Sequence, residues 1–183
     1  MRSDEALAAA FRAGDDQAFT ELYVRWRAPL FAFAARMLGG SEPARDAVQD
    51  TFVALWEHRL EVGRLRSFRA WIFTAARNRC LSVLRQQRTR ARLDTLVETD
   101  APAAADAVEA PDEHAMRQVR AALLELPPED REVLVLREYE GCSYGEIADI
   151  TGTTVSAVKS RLFRARRVLA ARLRPVLAEG GEP

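Results

Sequence analysis

The residues from Thr154 to Arg174 carry the strongest chemical signal in this chain of 183 residues. These 21 residues include seven basic side chains and no acidic one. They follow a short amphipathic segment that ends at Thr151-Gly152-Thr153, which is typical of a helix-turn-helix whose second helix meets a polyanion. Apolar residues recur every three or four positions and predict one dry face, formed by Val155, Val158, Leu162, Ala165 and Leu169.

The other faces of this segment carry side chains that suit a groove of DNA, where cations contact phosphates and polar groups contact base edges. We predict that the DNA-contacting residues are Ser156, Lys159, Ser160, Phe163, Arg164 and Arg167. Two alternatives stay open for the isolated segment. It could be a solvated amphipathic surface helix, or a helix that binds a membrane surface or a partner protein.

Aromatic rings and arginines alternate in a second segment, between Phe68 and Arg85. The residues concerned are Phe68, Trp71, Phe73, Arg77, Asn78, Arg79 and Arg85. Single-stranded bases stack on such rings while arginines pair with the phosphates. The alternative places the rings in the core, which we favour for Phe73 and leave open for Trp71. Asn78 is the best candidate for reading duplex base edges, because its amide can both donate and accept.

The formal net charge of zero conceals a strong segregation of charge along the chain. Between Arg59 and Arg92 there are ten arginines and one acid, Glu61. Between Asp94 and Glu113 there are seven acids and no basic residue. This pattern predicts two cationic surfaces separated by an anionic connection.

Several function classes find no support in the composition. Cys80 and Cys142 form no CxxC motif, and His58 and His114 have no ligand-spaced partners, so no metal site and no cofactor are predicted. No catalytic set is present, and an enzyme is therefore not expected. The N-terminus resembles no signal peptide and no run approaches 18 apolar residues, which predicts a cytoplasmic protein without membrane insertion.

Helical periodicity runs through most of the sequence, and the predicted fold class is all-α. In the N-terminal half we expect helices over 5–13, 17–38, 41–60 and 67–90, with Asp15 or Asp16, Ser41 and Ser67 as N-caps. Pro29 should kink or break the second helix near Ala28. Residues 62–66 are predicted to form a loop.

The C-terminal half begins after a segment rich in Ala, Pro, Asp and Glu, residues 94–112, which predicts a flexible linker. Helices are expected over 113–125 and from Pro128 to about Gly141. Ser143 and Glu146 predict a capping box for the next helix. The recognition helix should end at Pro175, and the tail after residue 177 should be frayed.

Two blocks of motifs resemble bacterial sigma factors. Gly14-Asp15-Asp16-Gln17-Ala18-Phe19, Asp46-Ala47-Val48-Gln49-Asp50-Thr51-Phe52 and Phe68-Arg69-Ala70-Trp71-Ile72 resemble their conserved region 2. Leu126-Pro127, Ser143-Tyr144, Glu146-Ile147-Ala148 and Val158-Lys159-Ser160-Arg161-Leu162-Phe163-Arg164 resemble region 4. Their order and the short connection between them are similar to the extracytoplasmic-function group of the sigma-70 family.

The resemblance implies two small helical domains joined by a flexible acidic linker. A region 2 domain would span residues 1–92, the linker 93–112, a region 4 domain 113–177 and a tail 178–183. The protein would bind core RNA polymerase and direct promoter recognition, DNA melting and transcription initiation at −35 and −10 elements. The rival interpretation is a helix-turn-helix regulator that acts without polymerase.

The resemblance also assigns site residues. Tyr144 joins the recognition helix at the −35 element. The loop from Glu61 to Ser67 and the helix after it would capture a flipped base of the −10 element. The residues assigned to binding −10 DNA are Arg64, Arg66, Phe68, Trp71, Arg77, Asn78 and Arg85. The residues that would contact the coiled coil of the largest polymerase subunit are Asp46, Gln49, Asp50 and Trp56. The flap region of the polymerase is a further expected contact of the protein. An anti-sigma factor is a further candidate partner. The acidic linker is either a tether or an occupant of a cationic polymerase channel.

Overall fold

Helices form nearly all of the chain that the structure, a computed structural model, describes, namely residues 2–62, 67–94 and 111–179. Within these ranges the helices are α1 (Asp4–Arg12), α2 (Asp16–Leu38), α3 (Ser41–Glu57), α4 (Arg59–Val62), α5 (Phe68–Asp94), α6 (Pro111–Glu125), α7 (Pro128–Glu138), α8 (Tyr144–Thr151) and α9 (Val155–Glu179). The predicted all-α class is confirmed. None of these helices is both long and apolar enough to cross a membrane.

Short-range signals in the sequence set most of the helix ends. The Asp15 carboxylate accepts from the backbone N–H groups of Gln17 and Ala18 at 3.0 and 3.1 Å, and so caps α2. Gly39 ends α2 with a left-handed φ of 78°, which glycine adopts without steric cost. The Ser67 hydroxyl accepts from Ala70 N–H at 3.1 Å and caps α5 as predicted.

Several predicted boundaries differ from the structure. The predicted break of α2 near Ala28 does not occur, and packing explains why. Helix α2 continues through Pro29 because Trp26, Leu30 and Phe33 lie buried on both sides of it. Burial of large apolar side chains stabilises the helix by about 1.5–3 kcal/mol each, which outweighs the cost of about 3 kcal/mol for an internal proline. Helix α9 likewise continues past Pro175 to Glu179.

Another correction concerns α3, whose N-cap is Gly40 and not Ser41. The N–H of Ala44 bonds to the Gly40 carbonyl at 3.3 Å, and no side chain caps this end. The helix also ends earlier than predicted, at Glu57, and the chain turns at His58 before the short helix α4. Helix α4 includes Val62, the first residue of the predicted 62–66 loop, and the rest of that loop lies outside the described residues. The predicted linker is too long at both ends, because residues 93–94 belong to α5 and residues 111–112 to α6; the remainder lies outside the described residues.

Helices α1 to α5 form an N-terminal bundle around aromatic side chains. Phe11, Phe33, Phe68 and Phe73 are each at most 1% exposed and lie among buried leucines. The ring of Trp26 packs edge-on against Phe73, with 5.7 Å between ring centroids. Phe73 is thus a core residue, as the sequence favoured.

Helices α6 to α9 form a C-terminal bundle that contains the helix-turn-helix. The predicted capping box is present, since Ser143 Oγ accepts from Glu146 N–H at 3.2 Å and the Glu146 carboxylate accepts from Ser143 N–H at 2.8 Å. Gly152 closes α8 with a φ of 65°. These local bonds fix the entry and the exit of α8, and therefore the direction of α9.

The two bundles pack against each other. Helix α2 contacts α6 and α7, helix α5 contacts α8, and one hydrophobic cluster includes buried residues of both bundles. Arg131, which is 5% exposed, donates to the backbone carbonyl of Met37 in the N-terminal bundle. It also donates to the carbonyls of Leu124 and Leu126, at 2.5 and 3.0 Å. One side chain therefore joins the ends of α2 and α6.

Candidate nucleic-acid interface

Helix α9 separates a buried face from a polar face, as the periodicity predicted. Val158, Leu162 and Ala165 are at most 2% exposed, and Leu169 packs against the same cluster. Val155 is the exception, since 42% of its surface is exposed at the start of the helix. Thr154 caps this start, because its hydroxyl accepts from Ala157 N–H at 3.1 Å.

The opposite face of α9 presents most of the predicted DNA-contacting residues. Six of them are exposed: Ser156, Lys159, Ser160, Phe163, Arg164 and Arg167. Phe163 is 67% exposed, which is unusual for a phenylalanine in a folded protein and leaves its ring free for an apolar contact. Tyr144 is half-buried, and the Lys159 ammonium lies 5.9 Å from the centroid of its ring. This cation–π contact brings residues of α8 and α9 into one surface.

Arg164 differs from the other α9 candidates because its guanidinium is already paired. It donates to both carboxylate oxygens of Asp130, at 2.7 and 3.1 Å, which raises the pKa of Arg164. Asp130 itself is only 5% exposed. A DNA contact through these two N–H groups would therefore require an exchange of partners. The sequence had not indicated this pairing.

In the N-terminal bundle, the structure contradicts the prediction that Phe68 contacts DNA. Phe68 is fully buried and packs against Trp26 with 6.0 Å between ring centroids, so it cannot stack on a base without leaving the core. Trp71 is half-buried and stacks on Phe68, with 6.5 Å between centroids. Its exposed part remains available to a ligand. Arg64 and Arg66 lie outside the described residues.

Arg77 is held by a buried carboxylate of the C-terminal bundle. Its guanidinium donates to Glu132 at 2.6 and 3.0 Å, and the Glu132 side chain is completely buried. Burial raises the pKa of Glu132, and the neighbouring Arg77 and Arg161 oppose that shift. Asn78 and Arg85 are exposed on the same helix. The structure thus leaves Asn78 and Arg85 accessible but not Arg77.

A surface cleft of about 290 Å³ lies beside Trp71 and Asn78. It is lined by Ala54, His58, Glu61, Trp71, Thr74, Ala75, Asn78 and Arg79. The His58 ring and the Glu61 carboxylate are 3.2 Å apart at its edge. An aromatic ring next to an amide, a carboxylate and an arginine offers both stacking and hydrogen bonds to a base. Sequence reasoning missed His58, since a lone histidine carries no spacing signal.

The four candidate polymerase contacts lie together on the outer side of α3. Asp46, Gln49, Asp50 and Trp56 are exposed, and Trp56 retains 46% of its surface. Within residues 2–62, 67–94 and 111–179, neither Asp46 nor Asp50 makes an ion pair. The two carboxylates thus form an uncompensated acidic surface.

An apolar groove of about 790 Å³ runs between α2 and α3 beside these carboxylates. We call it the α2–α3 groove; it is lined by Phe19, Tyr23, Arg27, Ala28, Phe31, Arg45, Val48, Gln49, Phe52, Val53 and Trp56. Exposed aromatic side chains next to charges are typical of protein-binding surfaces. The groove was not predicted, because it requires two helices to pack.

Both cysteines are buried and free. Burial raises the pKa of the Cys80 thiol to about 12, and it also raises the pKa of Cys142. A thiol with a raised pKa is a poor nucleophile and a poor metal ligand. Among the described residues, no group of three His, Cys, Asp or Glu side chains is placed to hold a metal ion.

Comparison with known protein families matches the same two regions of the chain that carry the sequence motifs. The Sigma-70 region 2 family matches residues 22–90, and the Sigma-70, region 4 family matches residues 116–169. The described residues of both matched segments lie within the helical bundles given above.

Individual relatives cover almost the whole chain. RNA polymerase sigma factor CnrH of Cupriavidus metallidurans is 37% identical over 93% of this chain and 94% of its own length. The ECF RNA polymerase sigma factor SigL of Mycobacterium tuberculosis is 34% identical, with coverage of 81% and 84%.

Solved structures agree with the sequence relatives. CnrH in complex with the cytosolic domain of CnrY superposes with a TM-score of 0.72 at 31% identity, over 94% of this chain and 97% of that one. The sigma factor RpoE of Bartonella quintana, in complex with the anti-sigma factor NepR, gives a TM-score of 0.70 at 28% identity, over 85% and 96%. With its exposed recognition helix and its acidic α3 surface, the chain belongs to the sigma-70 family, in the extracytoplasmic-function group of RNA polymerase sigma factors.

Proposed function

We propose that this protein binds core RNA polymerase in the cytoplasm and directs it to promoters, without catalysis of its own. In this proposal residues 113–177 bind a −35 element and residues 1–92 bind the −10 element and help to melt it. Residues 93–112 connect the two, and 178–183 form a tail. The observation that carries the proposal is the pairing of a cationic recognition helix with a separate acidic protein-binding surface in one chain.

The polar face of α9 supports duplex binding at the −35 element. Lys159, Phe163 and Arg167 project from a helix whose direction is set by the capped turn before it. Cations at these positions would contact phosphates or guanine edges, and the exposed ring would contact a thymine methyl group. Tyr144 would contact the backbone at the edge of the same surface.

Single-stranded binding at the −10 element is supported by the cleft beside Trp71. The exposed part of the Trp71 ring offers stacking, while Asn78 and His58 offer hydrogen bonds to the edge of one base. Arg85 lies exposed further along α5, where it would pair with a phosphate. We propose the cleft as the site of base capture, in place of Phe68.

Docking on the polymerase is supported by the surface of α3. Asp46 and Asp50 are unpaired acids within the described residues, and they lie beside the apolar α2–α3 groove. A basic coiled coil with apolar side chains would complement both features. Because RpoE was solved with the anti-sigma factor NepR, we also propose an anti-sigma factor as a partner of this chain.

The test is reconstitution with core RNA polymerase. Purified chain should co-elute with core enzyme and give promoter-specific transcripts, whereas a polymerase-independent regulator would bind duplex DNA and leave core enzyme inactive. The double variant Asp46→Arg/Asp50→Arg should lose core binding at least tenfold, while surface reversals of this kind change stability by no more than about 0.5 kcal/mol.

Asp16→Arg/Glu42→Arg supplies a control with the same change in net charge, because it reverses two exposed acids of the same bundle outside the α2–α3 groove. Equal loss of core binding in the control would mean that total charge, and not the α3 surface, governs binding. Unchanged core affinity in the double variant would remove α3 as the docking site.

A further inference from the structure

The ion pair between Asp130 and Arg164 leaves one edge of the guanidinium free. Arg164 Nε donates to Asp130 Oδ2 at 3.1 Å, and Arg164 Nη2 donates to Oδ1 at 2.7 Å. The opposite edge consists of Nη1 and the second N–H of Nη2, and within the described part of the chain Nη1 has no hydrogen-bond partner. Because 55% of the Arg164 side chain is exposed, a ligand can reach this edge while the ion pair remains intact.

The carboxylate of Asp130 is itself held in one place. Its side chain is only 8% exposed and lies in the first turn of α7, directly after Pro127 and Pro128. The two prolines restrict the backbone before that turn, and the N–H of Asp130 donates to the Pro127 carbonyl at 3.0 Å. The positive end of the α7 dipole also attracts a carboxylate at this position. Asp130 is thus a fixed acceptor, and it restricts the orientation of Arg164.

Arg164 lies one turn after Ser160 on the side of α9 that carries the predicted DNA contacts. Two other cations of this helix, Lys159 and Arg167, make no ion pair with any residue that the structure describes. A free cation on a flexible stem can follow phosphates in many conformations, whereas a guanidinium held by a carboxylate keeps a narrow range of orientations. The pair also carries no net charge, so its attraction to phosphates is weak. What Arg164 retains is a fixed set of N–H donors.

We propose that Asp130 is a positioning residue for sequence recognition, which holds Arg164 by one edge so that the Nη1–Nη2 edge reads a guanine of the −35 element. Guanine presents two adjacent acceptors in the major groove, O6 and N7, and a guanidinium donates to both at once. No other base presents two acceptors there. The inference rests on the proposed binding of α9 to the −35 element, and it names how one base of that element is selected.

Core RNA polymerase that carries the full-length chain provides the assay. The parent holoenzyme first selects sequences from a library of duplexes randomised over the promoter region. Competition between selected duplexes that differ at one −35 base pair then gives the ratio of their dissociation constants. A bidentate contact from arginine to guanine discriminates against other bases by roughly 5- to 150-fold. We therefore expect a −35 position at which the parent prefers guanine by about tenfold or more.

Two variants should lose this preference at the same position. Arg164→Lys keeps the charge but lacks the planar fork, so the preference for guanine should fall to about twofold or less. Asp130→Asn keeps the shape of the side chain but not its charge, and the preference should fall by at least about threefold. Its affinity for the duplex without the guanine should stay equal or rise, because an acid near the DNA is lost.

Glu125→Gln is the matched control. The Glu125 carboxylate lies 2.8 Å from Arg172 Nε and so also pairs with an arginine of α9, about two turns beyond Arg164. The control changes the net charge as Asp130→Asn does, and it should leave the guanine preference unchanged. A merely structural role of Asp130 would lower the affinity for both competing duplexes together and leave their ratio unmoved.

The proposal fails if Arg164→Lys keeps the guanine preference at every −35 position, or if Asp130→Asn keeps the same ratio as the control. Should circular dichroism show that Asp130→Asn does not fold, the structure of the parent holoenzyme on the selected duplex decides. Arg164 bound to Asp130 and to guanine together supports the proposal, whereas Arg164 released from Asp130 or bound only to phosphate overturns it. A parent holoenzyme that selects no −35 sequence refutes the proposed function itself, and with it this inference.

Discussion

Replacement of Arg131 by methionine should be among the most destabilising single changes in this protein. The guanidinium lies between two helix ends, because Met37 is in the last turn of α2 and Leu124 is in the last turn of α6. Carbonyl groups in a last turn lack partners within their own helix, and they carry the negative end of the helix dipole. Arg131 therefore satisfies three backbone acceptors and places a positive charge where two dipoles favour it.

The expected magnitude follows from two opposing effects. A hydrogen bond to a charged group contributes about 1.5–3 kcal/mol, so three such bonds could contribute several times that value. Burial of the guanidinium opposes this and lowers the pKa of Arg131, which shows that the charged form bears a desolvation cost. We expect Arg131→Met to reduce the free energy of unfolding by about 3–5 kcal/mol, a large part of the total stability of a typical domain.

Urea denaturation followed by circular dichroism measures this change. Arg131→Lys should lose roughly half as much, because an ammonium keeps the charge but cannot reach three carbonyls in the fork geometry of a guanidinium. Arg90→Met, at an exposed position of α5, serves as the control and should stay within about 0.5 kcal/mol of the parent. A loss below about 1 kcal/mol for Arg131→Met would show that water replaces the guanidinium easily, and the bridging role would be refuted.

Three further outcomes are expected. Lys159→Ala should weaken binding to −35 duplex DNA by about 1–3 kcal/mol if Lys159 contacts a base, as fluorescence anisotropy would show, with no change in the thermal midpoint. Glu146→Gln should reduce the free energy of unfolding by about 0.5–1 kcal/mol at neutral pH. The hydrogen bond from Ser143 N–H lowers the pKa of Glu146 in the folded protein below its ordinary 4.5. The stabilisation by the Glu146 carboxylate is therefore fully present above pH 4.5 and should vanish as the pH falls through the lowered pKa of the folded protein. Urea denaturation at several pH values tests this. Gly39→Ala should destabilise the fold by at least about 1 kcal/mol, since φ is 78° and an added Cβ would lie 2.6 Å from Leu124 Cδ1. Adding Leu124→Ala should relieve the steric contact but not the backbone strain at the positive φ.

Local chemistry allowed much of this molecule to be predicted from its sequence. The Ser143–Glu146 capping box, the Asp15 cap and the glycine stop at Gly39 involve groups no more than four residues apart. The dry face of α9 follows from helical periodicity in the same way. The exposure of Lys159 and its neighbours could therefore be predicted without knowledge of the packing.

The positions of proline and of aromatic residues show where local signals fail. Pro29 predicts a kink or a break in α2 if packing against other helices is ignored. Buried side chains on both sides of Pro29 keep α2 continuous. Phe68 fits a base-stacking pattern along α5, yet its ring fills the core against Trp26. In both cases the burial of apolar surface against another helix outweighs the local preference.

The sequence by itself therefore determined most of the helices, the caps at Asp15, Ser67 and Ser143, the polar face of α9 and the family motifs, because each depends on neighbours along the chain. The tertiary structure alone decided which charges are free. Arg77 and Glu132 are 55 residues apart, and Arg164 and Asp130 are 34 apart, so no local pattern links them. Packing of α5 against α7 buries the Arg77–Glu132 pair, whereas Arg164 pairs with Asp130 inside the C-terminal bundle and keeps 55% of its side chain exposed. In both cases a distant carboxylate occupies the guanidinium, and only the tertiary structure reveals it.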